Sequence, residues 1–132
     1  MSYSYWADGG VSNSAPPCGG LIDDGSYPDF RTFTWGTGAN LLTRVAPTAG
    51  GAISGVSYGH GYDPQTGQHR GGGRIACPNV PVKVEASAAF SVGAQLETLA
   101  DGRVKAVVSG TPVLTALEAS SGAGAVVWAV FL

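Results

Sequence analysis

The sequence predicts an all-β fold, with an extended N-terminal arm and long glycine-rich loops, and three observations carry that prediction. Glycine occurs 21 times and proline 8 times in 132 residues, a share that disfavours helices and suits short strands joined by turns. Charged residues make up only 12% of the chain, against roughly 25% in an ordinary soluble domain. Much of the surface must therefore be Ser, Thr, Gly, Ala and exposed apolar groups, a surface suited to burial against partners. From residue 79 onward, Val and Ala recur in short runs punctuated by Gly-containing turns, the pattern of half-buried strands.

The length fits one compact domain with a modest dry core, and the chain divides into an arm over residues 1–20 and a single β-rich domain over 21–132. Met1-Ser-Tyr-Ser-Tyr-Trp6 alternates small polar and aromatic residues as an extended strand does, yet has no sequence neighbour against which to bury itself. Asp8-Gly-Gly10 and Ala15-Pro-Pro-Cys-Gly-Gly20 break any regular element after it. Phe30-Arg-Thr-Phe-Thr-Trp35 and the apolar run from Asn40 to Val45, with Arg44 inside it, predict two short strands. Gly50 to Gly73 is rich in Gly, Ser, Tyr and His and reads as a long surface loop.

The second half is more regular. Val80-Pro-Val-Lys-Val-Glu85 predicts a half-buried strand with Val80, Val82 and Val84 on one face, and Pro81 confines it to an edge or an entry position. Within Gln95 to Val107, Asp101-Gly102 predicts a hairpin with a two-residue turn. Pro112 to Ala119 predicts another strand, or a strand and a bend, and Ser120 to Gly124 turns the chain. Ala125-Val-Val-Trp-Ala-Val-Phe-Leu132 is too apolar for an exposed tail. It predicts a central strand buried on both faces, or an edge covered by a neighbouring subunit.

Several functional classes are disfavoured. A net charge of −2, with seven Lys and Arg scattered singly, offers no basic stripe for a phosphate backbone, so no nucleic acid partner is expected. No basic leader with an apolar core and no run of about 18 apolar residues is present, so neither a secretion signal nor a membrane partner is expected. Cys18 and Cys77 either form one bridge or remain buried thiols. His60 and His69 lack the short ligand spacing of a zinc site. Asp23, Asp24 and Asp29 lack the alternation of a calcium loop. Gly71-Gly-Gly-Arg74 has the look of an anion nest, but a flexible loop is the better reading. With no set of nucleophile, base and orienting residue, the expectation is a non-enzyme without catalytic residues, cofactor or metal.

Four segments follow one another in order: Val80-Pro-Val-Lys-Val-Glu-Ala-Ser-Ala-Ala-Phe-Ser-Val-Gly-Ala-Gln, Thr98-Leu-Ala-Asp-Gly-Arg-Val-Lys-Ala-Val, Val113 to Ala119, and Gly124 to Leu132. Over residues 79–132 the chain thereby resembles the tailed-phage capsid decoration family, the cement or head-stabilising proteins. Order and spacing carry the resemblance, because Asp-Gly-Arg alone is a common turn. The chain departs from the family at Ala94, where an acidic residue is frequent, and at Thr115-Ala116, where Gly-Ile is frequent.

The resemblance implies a small β-barrel or β-tulip-like subunit, often a homotrimer, made in the host cytoplasm and carried on the outer surface of the capsid. Its partner would be the major capsid protein. By bridging neighbouring capsomers, such a subunit stabilises the expanded head through preferential binding to it. The arm can add a strand to a sheet edge of the shell, with Tyr3, Tyr5 and Trp6 as contact anchors. A local staple of these aromatics onto the subunit itself is the competing reading. A carbohydrate- or receptor-binding module on the virion surface is the alternative function. Its recognition loop would hold Tyr58, His60, Tyr62, His69 and Arg70, in a Gly and Tyr setting suited to adaptable contacts.

Overall fold

The structure is a computed structural model that describes residues 21–22, 27–36, 43–64 and 68–132. The whole arm, 1–20, and with it Tyr3, Tyr5 and Trp6, lies outside the described residues. The described residues contain ten strands and no helix, so the all-β expectation holds. They form two five-stranded antiparallel sheets. The first holds β1 (Leu21–Ile22), β2 (Thr32–Trp35), β3 (Arg44–Val45), β4 (Gly55–Asp63) and β5 (Gln68–Ile75), in the order β1-β5-β4-β2-β3. The second holds β6 (Pro81–Glu85), β7 (Gln95–Thr98), β8 (Val104–Ala106), β9 (Leu114–Ala116) and β10 (Val126–Phe131), in the order β6-β10-β9-β7-β8. No closed barrel is formed among the described residues.

The second sheet follows the sequence closely. Val80, Val82 and Val84 are buried while Pro81 and Lys83 are exposed, and β6 stands at the sheet edge, where the missing Pro81 N–H breaks no ladder. β10 is central, paired with β6 and β9. Its two faces differ, however: Val127, Ala129 and Phe131 are buried, whereas Val126 and Trp128 are exposed. The expected burial of both faces fails because the first sheet and its connections cover only one side of this sheet.

Two further expectations are corrected. The β7–β8 hairpin is present, but its turn has three residues rather than two. Gly102 N–H donates to the Leu99 carbonyl at 3.0 Å, Leu99 N–H donates to the Arg103 carbonyl at 2.8 Å, and Gly102 has φ +87°. This is a tight turn followed by a left-handed glycine. Asp101 favours it by accepting the Arg103 N–H at 3.0 Å. The second correction concerns residues 50–73, where β4 and β5 pair as a long antiparallel hairpin in place of a loop. Two of its glycines are packing residues: a Cβ at Gly55 would lie 2.2 Å from the Arg74 carbonyl oxygen, and one at Gly72 would lie 2.6 Å from that of Tyr58. Composition suggested flexibility; close backbone approach is the physical reason for glycine there.

The main core lies between the second sheet and Val56 of β4, with Phe131, Leu96, Leu114 and Val84 the bulkiest fully buried side chains of that sheet. Phe33 anchors a smaller cluster with Tyr27, Trp35 and Ile75. The sheets are joined where the β7–β8 turn meets β2. The Gly102 carbonyl accepts the Thr32 N–H at 2.8 Å and the Thr32 hydroxyl at 3.1 Å. Thr32 and Thr98 hydroxyls meet at 2.5 Å, and the Arg31 guanidinium reaches the Asp101 carbonyl at 3.0 Å and the Glu85 carboxylate at 3.3 Å.

Candidate functional site

A groove of about 420 Å³ opens where the two sheets meet, lined by Phe30, Tyr58, Arg74, Pro81, Val82, Lys83 and Trp128. On the first sheet its shape depends on a bulge in β4. The pairing with β5 slips between Ser57 and His60, and Gly59 there has φ +74°. Bulges of this kind re-aim a side chain, and Tyr58 is left 58% exposed. Asp29 Oδ1 accepts the Gly59 N–H at 3.0 Å. From the other side, buried Arg44 donates to the Gly59 and Gly72 carbonyls at 3.3 and 2.9 Å.

The turn before β2 completes that wall. Phe30 sits at φ +61°, a conformation few non-glycine residues adopt. It is held by Phe30 N–H donating to the Ser57 carbonyl at 2.8 Å, and its ring lies 6.3 Å from that of Tyr58. The Arg44 guanidinium stands 5.8 Å over the Tyr27 ring. The Tyr27 phenol donates to the Thr32 carbonyl, and burial pushes its pKa up to about 12.

The opposite wall is built by β6 and β10. Their register sets Lys83 opposite Trp128, and the ammonium rests 5.3 Å from the indole ring centre. Arg74 of β5 also lines the groove, and among the described residues no carboxylate does. The nearest acidic group on β6, Glu85, is engaged by Arg31. Hydrogen-bond parity matters as well. Ala86 bonds to Ala125 of the β10 segment and Val80 accepts from Phe131, so the even-numbered residues of β6 face β10. Pro81, Lys83 and Glu85 turn their backbone groups away from it, toward the first sheet. The Glu85 N–H is taken by the Phe30 carbonyl at 2.8 Å. Lys83 has no such backbone partner among the described residues.

The sequence-predicted residues are only partly assembled. Tyr58 lines the groove, while His60, Tyr62, His69 and Arg70 follow it on the β4–β5 hairpin and are placed by their backbone alone. Tyr62 pairs with His69 across the hairpin, and Gly61 with Arg70. Asp29 is a backbone acceptor, and Asp23, Asp24 and Cys18 lie outside the described residues. Cys77 is a free, half-buried thiol packed against the main core. Gly71-Gly-Gly-Arg74 is extended strand rather than a loop.

Nothing in the sequence marks Lys83, Phe30 or Trp128 as a site residue, and Arg74 is marked only by its place in Gly71-Gly-Gly-Arg74. The only signal was a Lys and a Trp on alternating strands, whose register a sequence does not reveal. Gly55-Val56-Ser57-Tyr58-Gly59 has the spacing of a nucleophile elbow. Here it lies in a strand, not in a turn between strand and helix. The Ser57 hydroxyl is fully buried, donates to the Pro28 carbonyl and accepts the Arg31 N–H at 3.1 Å, so it is a packing group.

A second polar cluster joins two connections. Glu97 is 4% exposed, and its carboxylate accepts the Gly110 N–H at 2.5 Å and the Val108 N–H at 3.4 Å, with Lys105 Nζ at 3.5 Å. Burial alone would raise its pKa, but the two amides and the Lys105 charge bring it below the ordinary value. This carboxylate latches the segment after β8. Comparison of the chain with protein-family models, with curated proteins and with solved structures found no match.

Proposed function

We propose that the chain is a non-enzymatic structural protein of a tailed-phage virion, a decoration or cement subunit that binds the major capsid protein on the outer surface of the mature head and bridges neighbouring capsomers. The supporting observation is that the span of the family resemblance coincides with one complete sheet, β6 to β10, which buries one face and leaves the other with exposed Val126, Trp128 and Leu117. A sheet that leaves such apolar side chains uncovered on one face is suited to burial against another protein. In this reading a homotrimer covers part of that face on the shell. The arm, residues 1–20, docks through Tyr3, Tyr5 and Trp6, and the subunit closes into its barrel or tulip-like form in that setting. Neither nucleic acid nor membrane is among its partners.

The test is the copy number of this chain relative to the major capsid protein in gradient-purified virions, by quantitative mass spectrometry. A fixed high ratio, about one to one for a lattice-wide subunit, is the expected result, and absence from virions would overturn the reading. A second reading, a virion-surface module for carbohydrate or receptor, is favoured by one observation. Tyr58 and Trp128 present exposed aromatic surface in the same groove, as recognition sites do. A few copies per particle would support it instead.

A further inference from the structure

We propose that the groove along β6 is a docking site for an extended acidic peptide of a partner protein, received as an added strand. Three features of the groove converge on that occupant. The first is the open strand edge: the Lys83 N–H and carbonyl point into the space between the sheets, with no backbone partner among the described residues. Unpaired backbone groups of an edge strand are a template for another extended chain. Pro81, without an N–H, and the Glu85 N–H, already bonded to Phe30, limit the free edge to the stretch around Lys83. A short strand fits there and a long one does not.

The second feature is charge. Lys83 lines the groove and no carboxylate does among the described residues, in a chain whose net charge is −2. The local field therefore favours an anionic segment against the trend of the whole molecule. The third is the aromatic walls. Trp128, 42% exposed, and Tyr58, 58% exposed, offer flat apolar surface on either side of the edge, where side chains alternating along an added strand would rest. Lys83 over the indole couples the cation to that surface. A peptide that alternates acidic and apolar residues meets all three features at once, whereas an acidic oligosaccharide meets the cation and the rings but has no backbone ladder to give β6.

The inference is independent of the capsid reading, because virion copy number and peptide binding are separate measurements and either can fail alone. The probe is a set of fluorescein-labelled six-residue peptides alternating Glu with Val, Leu or Tyr in both registers. Fluorescence anisotropy is read with the full-length protein at low salt. Saturable binding is expected, with at least about tenfold loss when Lys replaces Glu in the peptide or in Lys83→Glu, the loss expected where opposed charges become like charges. N-methylation of alternate peptide amides should abolish binding in one register and spare it in the other, the signature of a strand ladder. Trp128→Ala should weaken binding while circular dichroism and the melting temperature confirm a folded chain.

No saturable binding by any peptide of the set, or binding indifferent to N-methylation in both registers, overturns the proposal. So does saturable binding of trigalacturonate that the peptides cannot displace, which would make the groove a glycan site. Self-association through the same edge, abolished by Lys83→Glu in sedimentation velocity, would also overturn it in favour of a second copy.

Discussion

At the scale of single residues, this protein uses few charges, and several of them are placed to hold backbone. Arg44 pins the bulge that turns Tyr58 outward, and Asp29 caps the same bulge from the front. Glu97 gathers the amides of Val108 and Gly110, donors that would otherwise be left unsatisfied away from water. Its consequence for pH can be worked out from the direction of its shift. Glu97 holds its proton less readily in the folded chain than at the ordinary value of 4.5. The stability it contributes is therefore complete above that pH and is lost as pH falls below it, toward the folded-state value. Melting temperature measured from neutral to acid pH should fall in that window. Glu97→Gln should lower it at neutral pH and flatten part of the acid slope, the remainder belonging to groups such as Asp101, whose pKa is also lowered. An unchanged slope would show that the latch does not titrate with folding.

At the scale of elements, β10 shows what alternation does and does not decide. Both of its faces are apolar in sequence, and only the face of Val127, Ala129 and Phe131 is covered within the chain. Truncating Phe131, 1% exposed, to Ala should cost about 3–5 kcal/mol in urea unfolding, as removal of a core aromatic does. Truncating Trp128 three residues earlier should cost less than about 1.5 kcal/mol, because half its surface is already in water and no cavity is left behind. Equal losses would place Trp128 in a covered face even in the isolated chain. The β4–β5 hairpin makes the complementary point: its glycines weaken intrinsic strand preference, yet the ladder is built from backbone groups that glycine supplies as well as any residue.

At the scale of the whole molecule, the tip of the β7–β8 hairpin against β2 is one of the joints between the two sheets. Gly102 is central to it. A Cβ there would stand 2.7 Å from the Thr32 carbonyl oxygen and 2.9 Å from Arg31 Cβ, at φ +87°. Gly102→Ala should therefore destabilise the protein by about 1–3 kcal/mol, the range for backbone strain of this kind. The loss should appear unevenly. Because the main core lies on the second sheet while Phe33 anchors only a small cluster on the first, hydrogen exchange in the variant should accelerate first in β2, β4 and β5 and last in β9 and β10. A uniform acceleration would show that the sheets open as a single cooperative unit.

The sequence by itself determined the elements that rest on local rules. The glycine and proline content determined an all-β chain, Val80, Val82 and Val84 determined the buried face of β6, and Pro81 limited that strand to an edge or an entry position. Asp101-Gly102 determined a hairpin, since a left-handed turn residue is a local requirement. Tertiary structure decided the rest. It chose which face of β10 is covered, put the strand pair β4–β5 where a loop over residues 50–73 was expected, and set Lys83 opposite Trp128 across the register of β6 and β10. The physical reason is common to all three. Register, bulges and the choice of covered face depend on pairing between residues far apart in sequence, and a slip of one residue exchanges the two faces of a strand. The groove between the sheets depends on such pairings, so apart from Tyr58 and Arg74 its residues carry no local mark in the sequence.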